Sequence, residues 1–415
     1  MAMASIRWWN VGVVVVWFSL LGLPMAGHWL SSPPPAQAEN RRLAPAVSWP
    51  ASLAEAKGLP AAVQAWLHDH FGFRHELLVA HNRLNHVVFG SFTSGELAPG
   101  KDGYLFLGSK GLAHHNTLRI LCGADAVPVA VIHGQLRRLL AVSRAAAPVA
   151  QLLLVPDKSR LKPEKLPPWL QDECAGFAPP VQALLAGIRQ DPGMDGRVFY
   201  PFDVMRLADQ VRPVYHPWNL HWDHQGAQPV ADWLAQTRWS LPRRMEVPLV
   251  EALQSFDLQQ FAPGLSHWHT TQVPAYDNGN MLVCRNSPEC FPELAEEAAA
   301  LFQVARFRSA SQLPPEQRRP RLVILGDSFG EAIAEPLAPY FAEVWYLSMN
   351  HLPRLSPAQK RRLRHVAFDL FQPDVLLHVY SEQSIFSGRK GYFRDVTALL
   401  DPVNPPPTCT RCSPR

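Results

Sequence analysis

Two short segments carry residue types that can do covalent chemistry. In one, the apolar run Leu322-Val323-Ile324-Leu325 leads into Gly326-Asp327-Ser328-Phe329-Gly330, and a helical stretch, EAIAEPLAPYF, follows. A strand that passes through Gly-Asp-Ser into a helix puts Ser328 on a tight turn near a helix N-terminus. Backbone N–H groups there can stabilise an oxyanion. A serine at such a turn is also an ordinary helix cap, so the motif alone does not make Ser328 a nucleophile. The other segment runs from Tyr215 to Ala227, YHPWNLHWDHQGA. A serine nucleophile needs a base, and the base needs an orienting oxygen. In Asn219-Leu220-His221 an extended backbone puts positions 219 and 221 on the same side of the chain. His221 is therefore the candidate base and Asn219 the candidate orienting residue.

Three histidines and Asp223 within this segment also invite a metal reading. Zinc needs three or four converging ligands, usually including some from elsewhere, and no HExxH is present. Neither a metal nor a cofactor is expected.

The surrounding elements must hold these two segments together. Val149–Val155 (VAQLLLV), Arg197–Tyr200, Leu322–Leu325, Val344–Leu347 and Asp374–Tyr380 (DVLLHVY) are apolar runs of strand length separated by helical stretches. Such runs mark buried parallel strands, with active residues at their C-terminal ends. The expected fold is an α/β parallel sheet flanked by helices. Asn350, just past the Val344–Leu347 strand, is a candidate oxyanion donor, and an ordinary loop residue is the alternative. Tyr380 and Glu382 end the last strand, and structural roles suit them equally.

Of the 415 residues, 18% are charged and 47% hydrophobic, with 13 Trp and 20 Phe. That composition excludes bulk disorder, because there is ample apolar surface to bury. The 40 prolines must then sit in linkers, turns and element ends. A net charge of +4 without a basic stripe makes nucleic acid an unlikely partner. Trp8–Leu23 (WWNVGVVVVWFSLLGL) and its continuation to Leu30 give an apolar stretch long enough to cross a bilayer. Ala36-Gln37-Ala38 has the small-x-small form of a cleavage site but lies about fifteen residues past the apolar run. An uncleaved anchor is the preferred reading, and either way the remainder is exported.

Export accounts for an even set of cysteines, Cys122, Cys174, Cys284, Cys290, Cys409 and Cys412, as expected in an oxidising compartment. Cys284 and Cys290 enclose a short loop, which leaves Cys122 with Cys174 and Cys409 with Cys412. The expected organisation is an anchor over 1–30 and a Pro/Ala-rich linker over 31–51. A helical lead-in over 52–95, a catalytic domain over 96–403 and a Pro/Cys tail over 404–415 follow.

Taken together, the two chemical segments resemble the alginate O-acetyltransferase family of the AlgX and AlgJ type, whose members carry a circularly permuted SGNH-hydrolase-like domain. There an Asp-x-His-Trp…Gly-Ala segment precedes the Gly-Asp-Ser-Phe strand. Here His221-Trp222…Gly226-Ala227 precedes Gly326-Asp327-Ser328-Phe329. Phe71-Gly72-Phe73-Arg74, Gly100-Lys101-Asp102-Gly103-Tyr104-Leu105-Phe106, Val155-Pro156-Asp157-Lys158 and Pro373-Asp374-Val375 extend the likeness over roughly residues 60–390.

The resemblance implies a periplasmic, inner-membrane-anchored O-acetyltransferase. It would move an acetyl group through a serine acyl-enzyme onto hydroxyls of an exopolysaccharide: alginate-like, cellulose or another glycan. Its partners would be the polysaccharide acceptor, a membrane-bound O-acyltransferase that supplies acetyl groups, and the membrane itself. The family's Asp falls on Asn219, which predicts a weaker base. Asp223, two residues past His221, is the nearest substitute carboxylate. An acetyl-ester hydrolase, or an impaired polysaccharide-binding or assembly component, is the alternative.

Overall fold

The computed structural model describes residues 11–19, 22, 27, 44–108, 116–242, 247–265, 268–275, 281–309, 319–388 and 392–401. The chain divides into two compact units, 1–95 with 257–267, and 96–256 with 268–415. In the first unit Ser52 caps the helix Leu53–His70 by accepting from the Glu55 N–H. The helix Arg74–Phe89 stops at Gly90, whose left-handed backbone suits a helix end. Asn82 Nδ2 and Arg83 Nε donate to the carbonyls of Pro263 and Gly264, each at 2.8 Å. Those bonds explain why residues 257–267, remote in sequence, belong to this unit. Residues 11–19 are helical. Among the described residues no helix is long and apolar enough to cross a membrane. Most of the expected anchor, Ala36-Gln37-Ala38 and the tail with Cys409 and Cys412 lie outside the described residues.

The second unit holds three sheets. β1 (Leu97–Pro99) pairs antiparallel with β2 (Leu105–Leu107). The main sheet is built from β3 (Val149–Val155), β4 (Val198–Phe199), β7 (Met281–Arg285), β8 (Val304–Ser309), β9 (Arg321–Gly326), β10 (Glu343–Ser348) and β11 (Val375–Ser381). Their order is β4-β3-β11-β9-β10-β8-β7. β5 (Leu249–Ser255) and β6 (Trp268–Pro274) form a separate antiparallel pair. The runs read as strands from their continuous apolar character form the parallel part, β4 to β10.

The sheet is nevertheless mixed, because β8 and β7 run antiparallel to the neighbours that precede them in the sheet order. β7, at the sheet edge, exposes most of its residues, and β8 beside it mixes buried and exposed positions. That weak pattern is why no apolar run announces them.

Helices cover both faces. Val129–Ser143, Pro180–Gln190 and Tyr392–Leu400 line one core, with Leu136, Leu140, Leu184 and Leu399 buried there. His224–Trp233 and Phe329–Leu337 line the other, through Val230, Ala231, Ile333 and Leu337. The helix that follows Ser328 is thus fixed by its apolar face, and Ser328 with it.

Two disulfides bridge Cys122–Cys174 and Cys284–Cys290. They span 52 and 6 residues, so loop-closure entropy makes the longer bridge worth about 4 kcal/mol and the shorter about 2 kcal/mol. Guanidinium unfolding of Cys122→Ser/Cys174→Ser should show roughly twice the loss of Cys284→Ser/Cys290→Ser. Equal losses would contradict the assignment of their stabilisation to loop length.

Candidate active site

β9 runs so close to β11 that a Cβ on Gly326 would collide with the Val379 carbonyl oxygen. Glycine at this position is therefore a packing requirement. Asp327, next along, is buried and clasped from several sides. Its N–H donates to the Val379 carbonyl at 3.1 Å. Its carboxylate accepts from the Phe329 N–H at 3.0 Å, the Ser381 N–H at 2.8 Å and the Ser381 hydroxyl at 2.9 Å. The Tyr346 hydroxyl donates to its carbonyl at 2.9 Å. Gly330 N–H also donates to that carbonyl, at 3.0 Å. Phe329 and Gly330 amides at the helix start are thus engaged by Asp327.

Ser328 rides on this fixed turn. His221 Nε2 lies 2.6 Å from Ser328 Oγ, so Oγ–H can donate to a neutral imidazole that carries its proton on Nδ1. The His221 ring packs on Phe329, with centroids 4.8 Å apart. Trp222 is buried and donates from its indole N–H to the Phe329 carbonyl at 3.1 Å. It packs the histidine segment against the serine helix; burial excludes it from stacking on a sugar.

The segment before His221 is held mainly by backbone. Asn219 is buried, its N–H donating to the His216 carbonyl at 3.1 Å and its carbonyl accepting from Lys158 Nζ at 2.7 Å. Lys158, itself buried, also donates to the carbonyls of Pro217, at 3.1 Å, and Leu105. Leu105 N–H donates to the Pro217 carbonyl at 2.9 Å. One ammonium therefore ties the turn at 217–219 to β2.

The structure brings Ser328 and His221 together and seats Asn219 two residues from the base. Asn350 lies in the turn after β10, its N–H 3.4 Å from Ser348 Oγ. That puts it at the carboxyl edge of the sheet, one strand from β9. Asp223 has other work. It caps His224–Trp233 through the Gly226 N–H at 2.8 Å, and its second oxygen faces His216 Nε2 and Thr271 Oγ1, each at 3.4 Å. With both oxygens so used, nothing supports Asp223 as the substitute carboxylate.

Two charged residues beside the site turn out to be buried. Lys158 gave only the cue of a lysine directly after a buried strand and Pro-Asp. Glu382 is fully buried and accepts from the Tyr200 hydroxyl at 2.5 Å, with Arg160 Nε at 3.9 Å. Burial pushes its carboxyl up to about 7, and the nearby Asp157 adds to the rise while Tyr200 and Arg160 oppose it. Burial likewise raises Asp157, although the Ser159 N–H bonds its carboxylate at 2.8 Å.

A mixed α/β sheet with a serine–histidine pair at the carboxyl ends of its parallel strands defines the architecture. No family model matches the sequence, and no curated protein does. Among solved structures, the chain is similar to Bacillus cereus PatB1 at 16% identity and a TM-score of 0.45, covering 72% of this chain and 98% of that one. The O-acetyltransferase domain of Pseudomonas putida AlgJ matches at 16% identity and a TM-score of 0.42, with the same coverages of 72% and 98%. Pseudomonas aeruginosa AlgX matches at 16% identity and a TM-score of 0.41, over 78% of this chain and 69% of that one.

The raised Glu382 carboxyl gives a pH dependence. In the unfolded chain it ionises near its ordinary value, whereas the folded protein keeps the proton up to about 7. Its contribution to stability is therefore present in acid and lost as pH rises through 7. Urea unfolding at pH 5 and pH 8 should show wild type losing stability relative to Glu382→Gln as pH rises. A constant difference between the two proteins would refute the assignment.

Proposed function

We propose that this chain is an exported O-acetyltransferase that uses Ser328 as nucleophile and His221 as general base. The observation that carries this reading is the 2.6 Å contact between His221 Nε2 and Ser328 Oγ at the carboxyl edge of a parallel sheet. The order of motifs shared with the AlgX and AlgJ type supports the acetyl chemistry.

In the proposed first step Oγ attacks the donor's acetyl carbonyl while its proton passes to His221 Nε2. The oxyanion that forms is held by the Ser328 N–H, with the Asn350 side chain as second donor. As the carbon–oxygen bond to the donor breaks, the imidazolium returns the proton to the leaving oxygen. In the second step His221 deprotonates a glycan hydroxyl, which attacks acetyl-Ser328 and releases the serine. The donor is a membrane-bound O-acyltransferase, and the acceptor is an exopolysaccharide outside the inner membrane. An N-terminal anchor would keep the two chemistries adjacent.

Asn219 favours a second reading, an impaired member that binds or assembles polysaccharide. An amide can orient the imidazole through its oxygen, but it supplies no negative charge to the imidazolium.

Hydrolysis of an aryl acetate ester separates these readings. Wild type should turn over, and Ser328→Ala and His221→Ala should each fall at least about 10³-fold. Background turnover equal in all three would leave the non-catalytic reading. With an oligosaccharide acceptor present, mass spectrometry should find acetylated sugar; free acetate alone would identify a hydrolase.

Asn219→Asp should raise the rate, toward the factor of about 10⁴ that separates Asp from Asn in such triads. A fall in rate would show that the amide belongs to a different arrangement.

A further inference from the structure

A second cluster lies on the same segment as His221. His216 precedes Asn219 in the turn, Asp223 caps the helix His224–Trp233, and His269 comes from β6, opposite Gln254 of β5. One ligand atom from each of the three lies within 4.8 Å of the others. His216 Nε2 and Asp223 Oδ2 are 3.4 Å apart, and the two imidazole centroids are 4.0 Å apart. Both ring nitrogens of His269 are buried without a hydrogen-bond partner among the described residues. Buried imidazole nitrogens without partners, beside a second imidazole and a carboxylate, are groups that a bound cation would satisfy.

The spacing suits a small cation. Tetrahedral zinc with nitrogen and oxygen ligands at about 2.0–2.1 Å has ligand–ligand edges of about 3.3–3.4 Å. The His216–Asp223 edge already has that length, and the other two are no longer than 4.8 Å. The supporting shell is also built. Thr271, two residues along β6 from His269 and hence on the same face, points its hydroxyl at the ligating carboxylate oxygen at 3.4 Å. Phe256 stacks on His269, with centroids 4.4 Å apart and ring planes within 7°, and so fixes its orientation. His216 and Asp223 of the 215–227 segment lacked a converging partner in the sequence; the hairpin supplies it from 46 residues beyond Asp223.

We propose that His216, Asp223 and His269 form a site for a divalent transition metal, zinc by the chemistry of two imidazoles and one carboxylate, with a fourth position open to water. Bound there, the ion clamps both ends of the turn that carries Asn219 and His221 onto β6. This positioning role rests on reading Ser328 and His221 as the reacting pair; the binding itself does not.

The test titrates cobalt(II), as a spectroscopic stand-in for zinc, into the full chain after chelation. The expected result is one cobalt per chain, with the intense visible bands of four-coordinate cobalt, displaced by zinc. His269→Gln and His216→Gln should each abolish those bands and weaken zinc binding at least about tenfold. Their far-ultraviolet circular dichroism should match that of chelated wild type. Ser328→Ala should bind cobalt as wild type does, whatever its activity, which keeps this test separate from the acetyltransferase reading. Zinc should also slow amide hydrogen exchange over residues 216–223 in wild type and not in His269→Gln. Absence of the visible bands, or bands unchanged in both variants, would overturn the site. Exchange that zinc leaves unaltered would overturn the clamp.

Discussion

The contact between Ser328 Oγ and His221 Nε2 joins residues 107 apart in the chain, and the rest of the site is built to hold its length. Proton transfer between these atoms falls away steeply once they leave hydrogen-bond range. Neither side chain can therefore be left to a loose loop. On the serine side the constraint is met by the sheet. Gly326 lets β9 press against β11, and Asp327 is fastened to β11 through Val379 and Ser381. On the histidine side there is no strand to do the same. Lys158 replaces it, its ammonium gathering the carbonyls of Leu105, Pro217 and Asn219 around one point.

The two solutions differ in their electrostatic consequences. Asp327 spends its negative charge on amides and a hydroxyl, which is a common fate for a buried carboxylate. It takes the Phe329 amide with its carboxylate and the Gly330 amide with its carbonyl, so the helix start offers fewer open donors than a bare helix N-terminus. Lys158 is a buried cation whose charge is spread over carbonyl oxygens. A carboxylate at position 219 would face the pull of that cation; the amide there does not.

The parallel strands were legible because strands buried on both faces are continuous apolar runs, and β3 coincides with Val149–Val155 as read. Ser328 was legible because strand, Gly-Asp-Ser and helix follow without interruption. β7 and β8 were not, since β8 interleaves Arg306 and Arg308 with apolar residues and β7 is a short run at the sheet edge. Lys158 and Glu382 stood in segments the sequence marked, but their burial did not show: a charged residue reads as solvent-facing until the topology shows what lies over it. Asp223 was singled out on proximity. Two residues from His221 along the chain, it sits at a helix start, where capping claims one oxygen and the imidazole of His216 faces the other.

The backbone of Asn219 is held on both its N–H and its carbonyl. Its N–H bonds His216 and its carbonyl bonds Lys158, and an aspartate would make both bonds equally well. Those two backbone bonds do not distinguish an amide from a carboxylate at 219. A structure in which the asparagine had dismantled the site would need that turn to have shifted, and the 2.6 Å contact shows the turn in place. On the proposed reading the asparagine differs from an aspartate in charge: it would offer an imidazolium a dipole and no anion. It would then act on the barrier to proton transfer, while the 2.6 Å reach of His221 Nε2 to Ser328 Oγ stands.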